Sequence, residues 1–355
     1  MPYSRRECLL IACALAGTAR GRRAKAADSP EKYPRNLTKA DIERWMKELS
    51  NWGRWGETDQ AGTINLITPA KRKQAAALVK DGISVSMSLK ADLPPEGFVP
   101  PAPGATSGAA TSGAGSPAPR FTWEHTMRST GIGRTDGFAV DTISTSFHGS
   151  ATTHMDALSH FLYGGKLFNG FPADSINTWG ARKDDVLPFE NGIFTRGILI
   201  DVPMVRGVPY LDDDQAVYPD DFDAFEQKSG VKIEAGDAVF VRFGRWRRVA
   251  EKGPFRNQRM PGMYASCVKW LKQHDLALLG SDGVQDVRPS GVEGVDQPVH
   301  QLCLAAVGTP FMDNCDLEAL SRAASERRRW TFSFMMARLR IPGATGSPAN
   351  PIATF

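Results

Sequence analysis

The sequence predicts a mixed α/β fold. Two observations carry that expectation: short β-rich runs alternate with helical segments along the second two-thirds of the chain, and the connections between the runs include both tight turns and helices. A sandwich would join its strands mainly by turns. No internal repeat is visible, which excludes a solenoid or propeller. With 355 residues and 41% hydrophobic composition, the chain can bury ample core without disulfides or a structural metal.

Residues 1–27 read as an export signal. Arg5, Arg6, Arg20, Arg22, Arg23 and Lys25 stand against a single acid, Glu7, around an apolar run from Cys8 to Ala16 and a small-residue cleavage site at Ala24-Lys25-Ala26. Ser4-Arg5-Arg6-Glu7-Cys8-Leu9 is similar to the twin-arginine consensus, which predicts a periplasmic or otherwise exported protein; a cytoplasmic chain with an Ala-rich N-terminus is the alternative. The leader also accounts for the net charge of +4, since removing its five surplus positive charges leaves the remainder at −1. A nucleic-acid partner is therefore not expected. No other segment reaches the roughly 20 apolar residues that span a bilayer, so no membrane association is expected once the signal is cleaved.

Residues 28–93 read as an N-terminal helical part of the domain. Thr38 and Asp41 have capping-box spacing before a helix through Ile42, Trp45, Met46 and Leu49, and a second helix runs from Thr68 through Val79 to a stop at Gly82. Ile83 to Leu89 alternates as a strand does. Residues 94–119 are a Pro/Gly/Ala/Ser insertion without apolar periodicity. Residues 120–340 form the core, with buried-strand candidates at Gly197–Val202, Asp237–Phe243 and Leu276–Asp282 and helices at Met263–Gln273 and Leu317–Glu326. Residues 341–355 read as a C-terminal tail.

Several chemistries are excluded. Outside the leader only Cys267, Cys303 and Cys315 remain, odd in number and without Cys-x-x-Cys spacing, and the apolar neighbours of Cys303 and Cys315 mark them as buried inert thiols. No phosphate-cradling Gly-rich loop occurs, and neither Ser266-Cys267 nor Ser281-Asp282-Gly283 is a nucleophile elbow. Arg245-Trp-Arg-Arg-Val and Arg327-Arg-Arg-Trp read as solvated faces or intersubunit ion pairs, and His125 and His274 as structural histidines. Trp45, Trp52 and Trp55 suit core or subunit packing, with Trp55 the one candidate for a substrate wall.

Three of the six histidines fall within thirteen residues, at His148, His154 and His160, with Asp156 among them. His154 and Asp156 are two apart, so on a strand both project from one face and can share a metal ion. His148 has the same parity but lies about 20 Å away if extended, so it joins only if the chain bends at Gly149. His160 falls beside them if the strand turns into a helix after Asp156. Histidine and carboxylate donors without thiolate suit Zn or Mn.

The run Thr153-His154-Met-Asp156-Ala-Leu-Ser-His160 resembles the Thr-His-x-Asp-x-x-x-His signature of the cyclase family of metal-dependent hydrolases, which includes kynurenine formamidase and isatin hydrolase. The likeness, to the longer-chain members of the family, continues in Trp55-Gly-Glu-Thr-Asp59-Gln60-x-Gly62-Thr-x-Asn65, Arg196-Gly-Ile-Leu-Ile-Asp201, Gly236-Asp237, Pro298-Val-His300 and Met312-Asp313-Asn314. It implies a mixed-sheet α/β fold of the swivelling β/β/α type, commonly a homodimer or homotetramer. It implies His154 and Asp156 as metal ligands, His160 as general acid/base, and His300 and Asp313 at the positions that serve a second metal in formamidases. Ser150 stands where shorter members have their first ligand histidine, which leaves His148 as the substitute, and Asp313 replaces a bridging Glu. One metal is expected, two are conceivable. The expected activity is hydrolysis of an amide or formamide C–N bond in a small molecule, as in an arylformamidase. Alternatives are a lactone or ester hydrolase, a cyclase on a cyclic substrate, and an exported metal-dependent binding protein without turnover.

Overall fold

Continuous apolar runs need cover on both faces, and here they form the middle of a nine-stranded mixed sheet. The computed structural model describes residues 32–91, 122–255 and 259–355, of which 33–355 form one unit. Residues 1–27, expected to be an export signal, and residues 94–119, expected to be an insertion, lie outside the described residues. In chain order the sheet contains β1 (Ser84–Ser86), β2 (His154–Asp156), β3 (Ile193–Asp201), β4 (Ala238–Arg242), β5 (Leu278–Ser281), β6 (Phe311–Asp313), β7 (Thr331–Met336), β8 (Gly346–Pro348) and β9 (Ile352–Thr354). Their spatial order is β1-β9-β7-β3-β4-β5-β6-β2-β8.

β3, β4, β5 and β6 are parallel, and every other pairing within this sheet is antiparallel. Parallel neighbours need long crossovers. The helix Pro219–Ser229 lies between β3 and β4, helices Arg245–Lys252 and Ser266–Gln273 between β4 and β5, and Pro298–His300 with the π-helix Gln301–Val307 between β5 and β6. Every residue of β4 and β5 is buried. The predicted mixed α/β class is thus the observed one.

The N-terminal helix spans Lys39–Glu48 and carries the expected capping box, with Thr38 Oγ1 accepting from Asp41 N at 3.2 Å and Asp41 Oδ2 accepting from Thr38 N at 2.9 Å. It buries Ile42, Trp45 and Met46. The second helix, Pro69–Ala76, ends short of Val79, which stays 43% exposed with no apolar surface to reward another turn. Lys71 from this helix and Arg196 from β3 converge on the fully buried Asp237, Lys71 Nζ at 2.5 Å and Arg196 through two bonds of 2.9 and 2.6 Å. These motif residues therefore tie a helix to the sheet.

One expectation is corrected. Residues 341–355 are not a tail: β8 pairs with β2, β9 lies between β1 and β7, and Phe355 is fully buried. Three-residue strands are too short to show periodicity, and only long-range pairing defines them. The strand expected within Ile83–Leu89 is present as β1, which closes one edge of the sheet. The segments Trp123–Ser129 and Val140–Thr145 form a separate exposed hairpin that the sequence pattern did not announce.

Candidate metal centre

His154 and Asp156 sit at the two ends of β2, on one face, while the intervening Met155 is buried on the other. Antiparallel register places His154 opposite Asp313 and Asp156 opposite Phe311 on β6. That register brings Asp313 to the same face. After Asp156 the chain enters a single 3₁₀ turn, Leu158–His160, which swings His160 back until its Nε2 lies 3.8 Å from Asp156 Oδ2. The turn at Gly149, whose φ of +125° suits glycine, folds the preceding segment so that His148 Nδ1 lies 3.0 Å from Asp156 Oδ1.

His154 Nε2 is 3.4 Å from the same oxygen. His300, at the end of the Pro298–His300 turn, directs Nε2 to within 3.9 Å of Asp156 Oδ2 and 3.8 Å of Asp313 Oδ2. All six candidate residues from the sequence are therefore gathered around Asp156. Two overlapping groups have donor atoms close enough to share an ion: His148, Asp156 and His160, and His154, Asp156 and Asp313. Tetrahedral ligands bound at about 2.0–2.2 Å lie about 3.4 Å from one another, close to these separations.

The site fits a cation on two further grounds. Among the described residues, both oxygens of the fully buried Asp156 face only imidazole nitrogens, at 3.0 to 3.9 Å, and make no well-formed hydrogen bond, an arrangement costly for a carboxylate unless a positive charge faces it. In addition, three imidazoles have the nitrogen remote from Asp156 held by the protein: His154 Nδ1 by Thr152 O at 2.8 Å, His148 Nε2 by Thr345 Oγ1 at 3.1 Å, and His300 Nδ1 by Asp286 Oδ2 at 2.6 Å. Orienting one ring nitrogen so that the other faces a metal is the usual device in such centres.

Charge is concentrated here. Burial works against ionisation of Asp156, but His160 and His154 outweigh it and hold the carboxyl well below the ordinary range. Burial likewise opposes protonation of His154, yet Asp156 raises it to about 9. For His300 burial is overcome by Asp286 and Asp313, and the ring is raised to about 10. His160 goes the other way, lowered by burial despite Asp156.

Sequence reasoning missed the supporting residues. Asp286 accepts from Val299 N at 2.7 Å and His300 N at 3.2 Å as well as from the ring, capping the turn and aiming the imidazole. Gln285 Nε2 donates to Asp313 Oδ1 at 2.8 Å. The Asp59-to-Asn65 motif is structural: Asp59 accepts from Gly62 N and Asn65 Nδ2, Gln60 Oε1 accepts from Asp184 N at 2.9 Å, and Asp184 O accepts from Ser159 N, next to His160. Arg245 and Arg248, expected on a solvated face or in intersubunit ion pairs, are both buried within the chain. Trp55 is half-buried against the core, under the Arg54 guanidinium. His274 stacks on Trp270, and His125 pairs with Asp141 on the exposed hairpin, both away from the centre. Cys267, Cys303 and Cys315 are buried and unbridged.

Residues 83–285 match the model of a family described as "Putative cyclase". The chain belongs to the cyclase family. The match includes His148 to His160 and stops before Asp286, His300 and Asp313. A crystal structure described as a novel cyclase is similar over 87% of this chain and 99% of its own, at 27% identity and a TM-score of 0.72. Isatin hydrolase A from Ralstonia solanacearum aligns with 76% of this chain and 91% of its own, at 19% identity and a TM-score of 0.51. Isatin hydrolase A from Labrenzia aggregata aligns with 79% and 94%, also at 19% and 0.51. These likenesses show that the chain has the mixed-sheet fold of cyclase-family structures. No curated protein sequence matches the chain.

Proposed function

We propose that this protein is a metal-dependent hydrolase that cleaves the C–N bond of a small amide, with an aryl formamide as the expected substrate. The observation that carries the reading is the buried, unpartnered carboxylate of Asp156 ringed by four imidazoles. A divalent cation, Zn or Mn, supplies an activated water and polarises the scissile carbonyl when bound. His154 and Asp156 would hold it, with His148 as third ligand and His300 and Asp313 beside them.

His160 carries the proton chemistry. Its depressed basicity keeps the imidazole neutral, ready to accept a proton from the attacking water and return it to the leaving nitrogen. The solvent-exposed fraction of its side chain, 29%, leaves it reachable from outside. A cavity of about 300 Å3 is lined by Phe161 and Gln301, the residues next in sequence to His160 and His300, together with Ile42, Tyr163 and the charged Lys39, Glu43 and Asp296, and offers room for the non-reacting part of a small substrate.

The structural likeness to isatin hydrolases supports a second substrate arm, a cyclic amide, cleaved at the same kind of bond. Turnover of an N-formyl arylamine, an isatin-like lactam and a lactone by metal-replete protein separates these. Faster turnover of the open-chain formamide is expected; lactone turnover alone would overturn the C–N assignment, and no turnover with metal bound would indicate a binding protein. Export through the 1–27 leader and a homo-oligomeric state belong to the same proposal and are tested by fractionation and light scattering. Among the described residues no helix is long and apolar enough to cross a membrane.

A further inference from the structure

Residues 147–153 carry His148 into the centre without any strand to satisfy their carbonyls. Asn314, in a left-handed conformation at φ +54° directly after Asp313, supplies the donors. Its Nδ2 bonds Gly149 O at 2.7 Å and Thr152 O at 3.0 Å, while its own carbonyl accepts from Thr153 Oγ1 at 2.7 Å. The Arg245 guanidinium, 7% exposed, completes the fork: Nη1 donates to Asn314 Oδ1 at 2.6 Å and Nη2 to Ser150 O at 2.6 Å. Arg245 is itself anchored, its backbone N–H on Asp282 Oδ2 at 2.9 Å and its guanidinium over the Trp246 ring at 4.2 Å.

Nothing in general helix physics calls for a buried cation at this spot, and none of its side-chain hydrogen bonds goes to a carboxylate. They go to Asn314 Oδ1, to Ser150 O in the turn that bends at Gly149 and, at 3.5 Å, to Asp282 O, while Nε has no partner among the described residues. We infer that Arg245 is a positioning residue that, through Asn314 and Ser150 O, locks the 148–152 turn so that His148 Nδ1 faces Asp156. Thr152 O accepts from both Asn314 Nδ2 and His154 Nδ1. The planar fork matters as much as the charge, because a lysine ammonium cannot reproduce two divergent bonds to an amide oxygen and a carbonyl.

This inference rests on the metal-centre reading, and two readouts separate them. The first is the backbone order of residues 148–152 in metal-free Arg245→Lys and Asn314→Gly proteins, read from 15N NMR order parameters, the glycine chosen because it keeps the left-handed backbone. Order parameters in residues 148–152 should fall from about 0.85 in the wild type to below about 0.6 while residues 154–156 stay rigid. The second is Zn and Mn affinity by calorimetry. Each variant should lose about 10–100-fold, the range for residues that orient metal ligands. In a His148→Ala background the further loss should be under threefold. Unchanged order parameters in both variants, or a full independent loss of affinity in the His148→Ala background, would overturn the clamp. If wild-type protein binds neither metal, the metal reading fails, and the order parameters still decide whether the turn is locked by Arg245.

Discussion

Asp286 caps the turn that ends in His300 and fixes that ring with a 2.6 Å contact, so one carboxylate sets both the backbone and the imidazole. Replacing it with Asn leaves a cap but removes the charge, and metal affinity is expected to fall about 10–100-fold, measured by competition with a chromophoric chelator. His160→Ala is expected to leave metal content intact and to lower kcat by about 10²–10⁴; metal lost with activity would make His160 a ligand instead. The residues that bind through local spacing, His154, Asp156 and His160, were legible because strand parity and a single turn decide their geometry. Asp286, Arg245 and Asn314 were not, because each acts on a partner 13 to 165 residues away and no local pattern marks it. Arg245 was read as surface from its basic neighbours, which is where composition misleads once a cation is needed inside.

At the scale of elements, the loop from Lys183 to Asp185 offers a pH test. Asp184 is fully buried, its oxygens have no hydrogen-bond partner, and burial, reinforced by Asp59, raises it to about 8. Its folded pKa lies above its unfolded value, so between about pH 4 and pH 8 the unfolded chain releases a proton that the folded chain keeps. Stability from this group is therefore undiminished below about pH 4 and declines as pH rises through that window. Asp184→Asn should raise Tm more at pH 8 than at pH 5; equal shifts at both would contradict the assignment. The capped first helix and the buried strands β3, β4 and β5 could be read from sequence, since caps and apolar runs are local. The two C-terminal strands could not, and their place in the sheet has a consequence: Phe355→Ala should cost about 3–5 kcal/mol in urea unfolding, a core effect at the last residue of the chain.

The whole molecule brings six donors from four separated stretches, around 148, 154–160, 300 and 313, to one face at the sheet's β2–β6 pair. The mixed α/β class was legible because alternating strands and helices force parallel crossovers. The order of strands was not, because β2 is threaded between β6 and β8 by contacts spanning well over a hundred residues. Charge inside the fold is balanced in buried pairs such as Arg196 with Asp237 and Arg242 with Asp201. The most direct test of the central claim is the metal content of the purified protein by mass spectrometry, beside that of His154→Ala and Asp156→Ala. The account requires at least one equivalent of Zn or Mn in the wild type and loss of metal and turnover together in both variants; a metal-free wild type that still hydrolyses amides would contradict it.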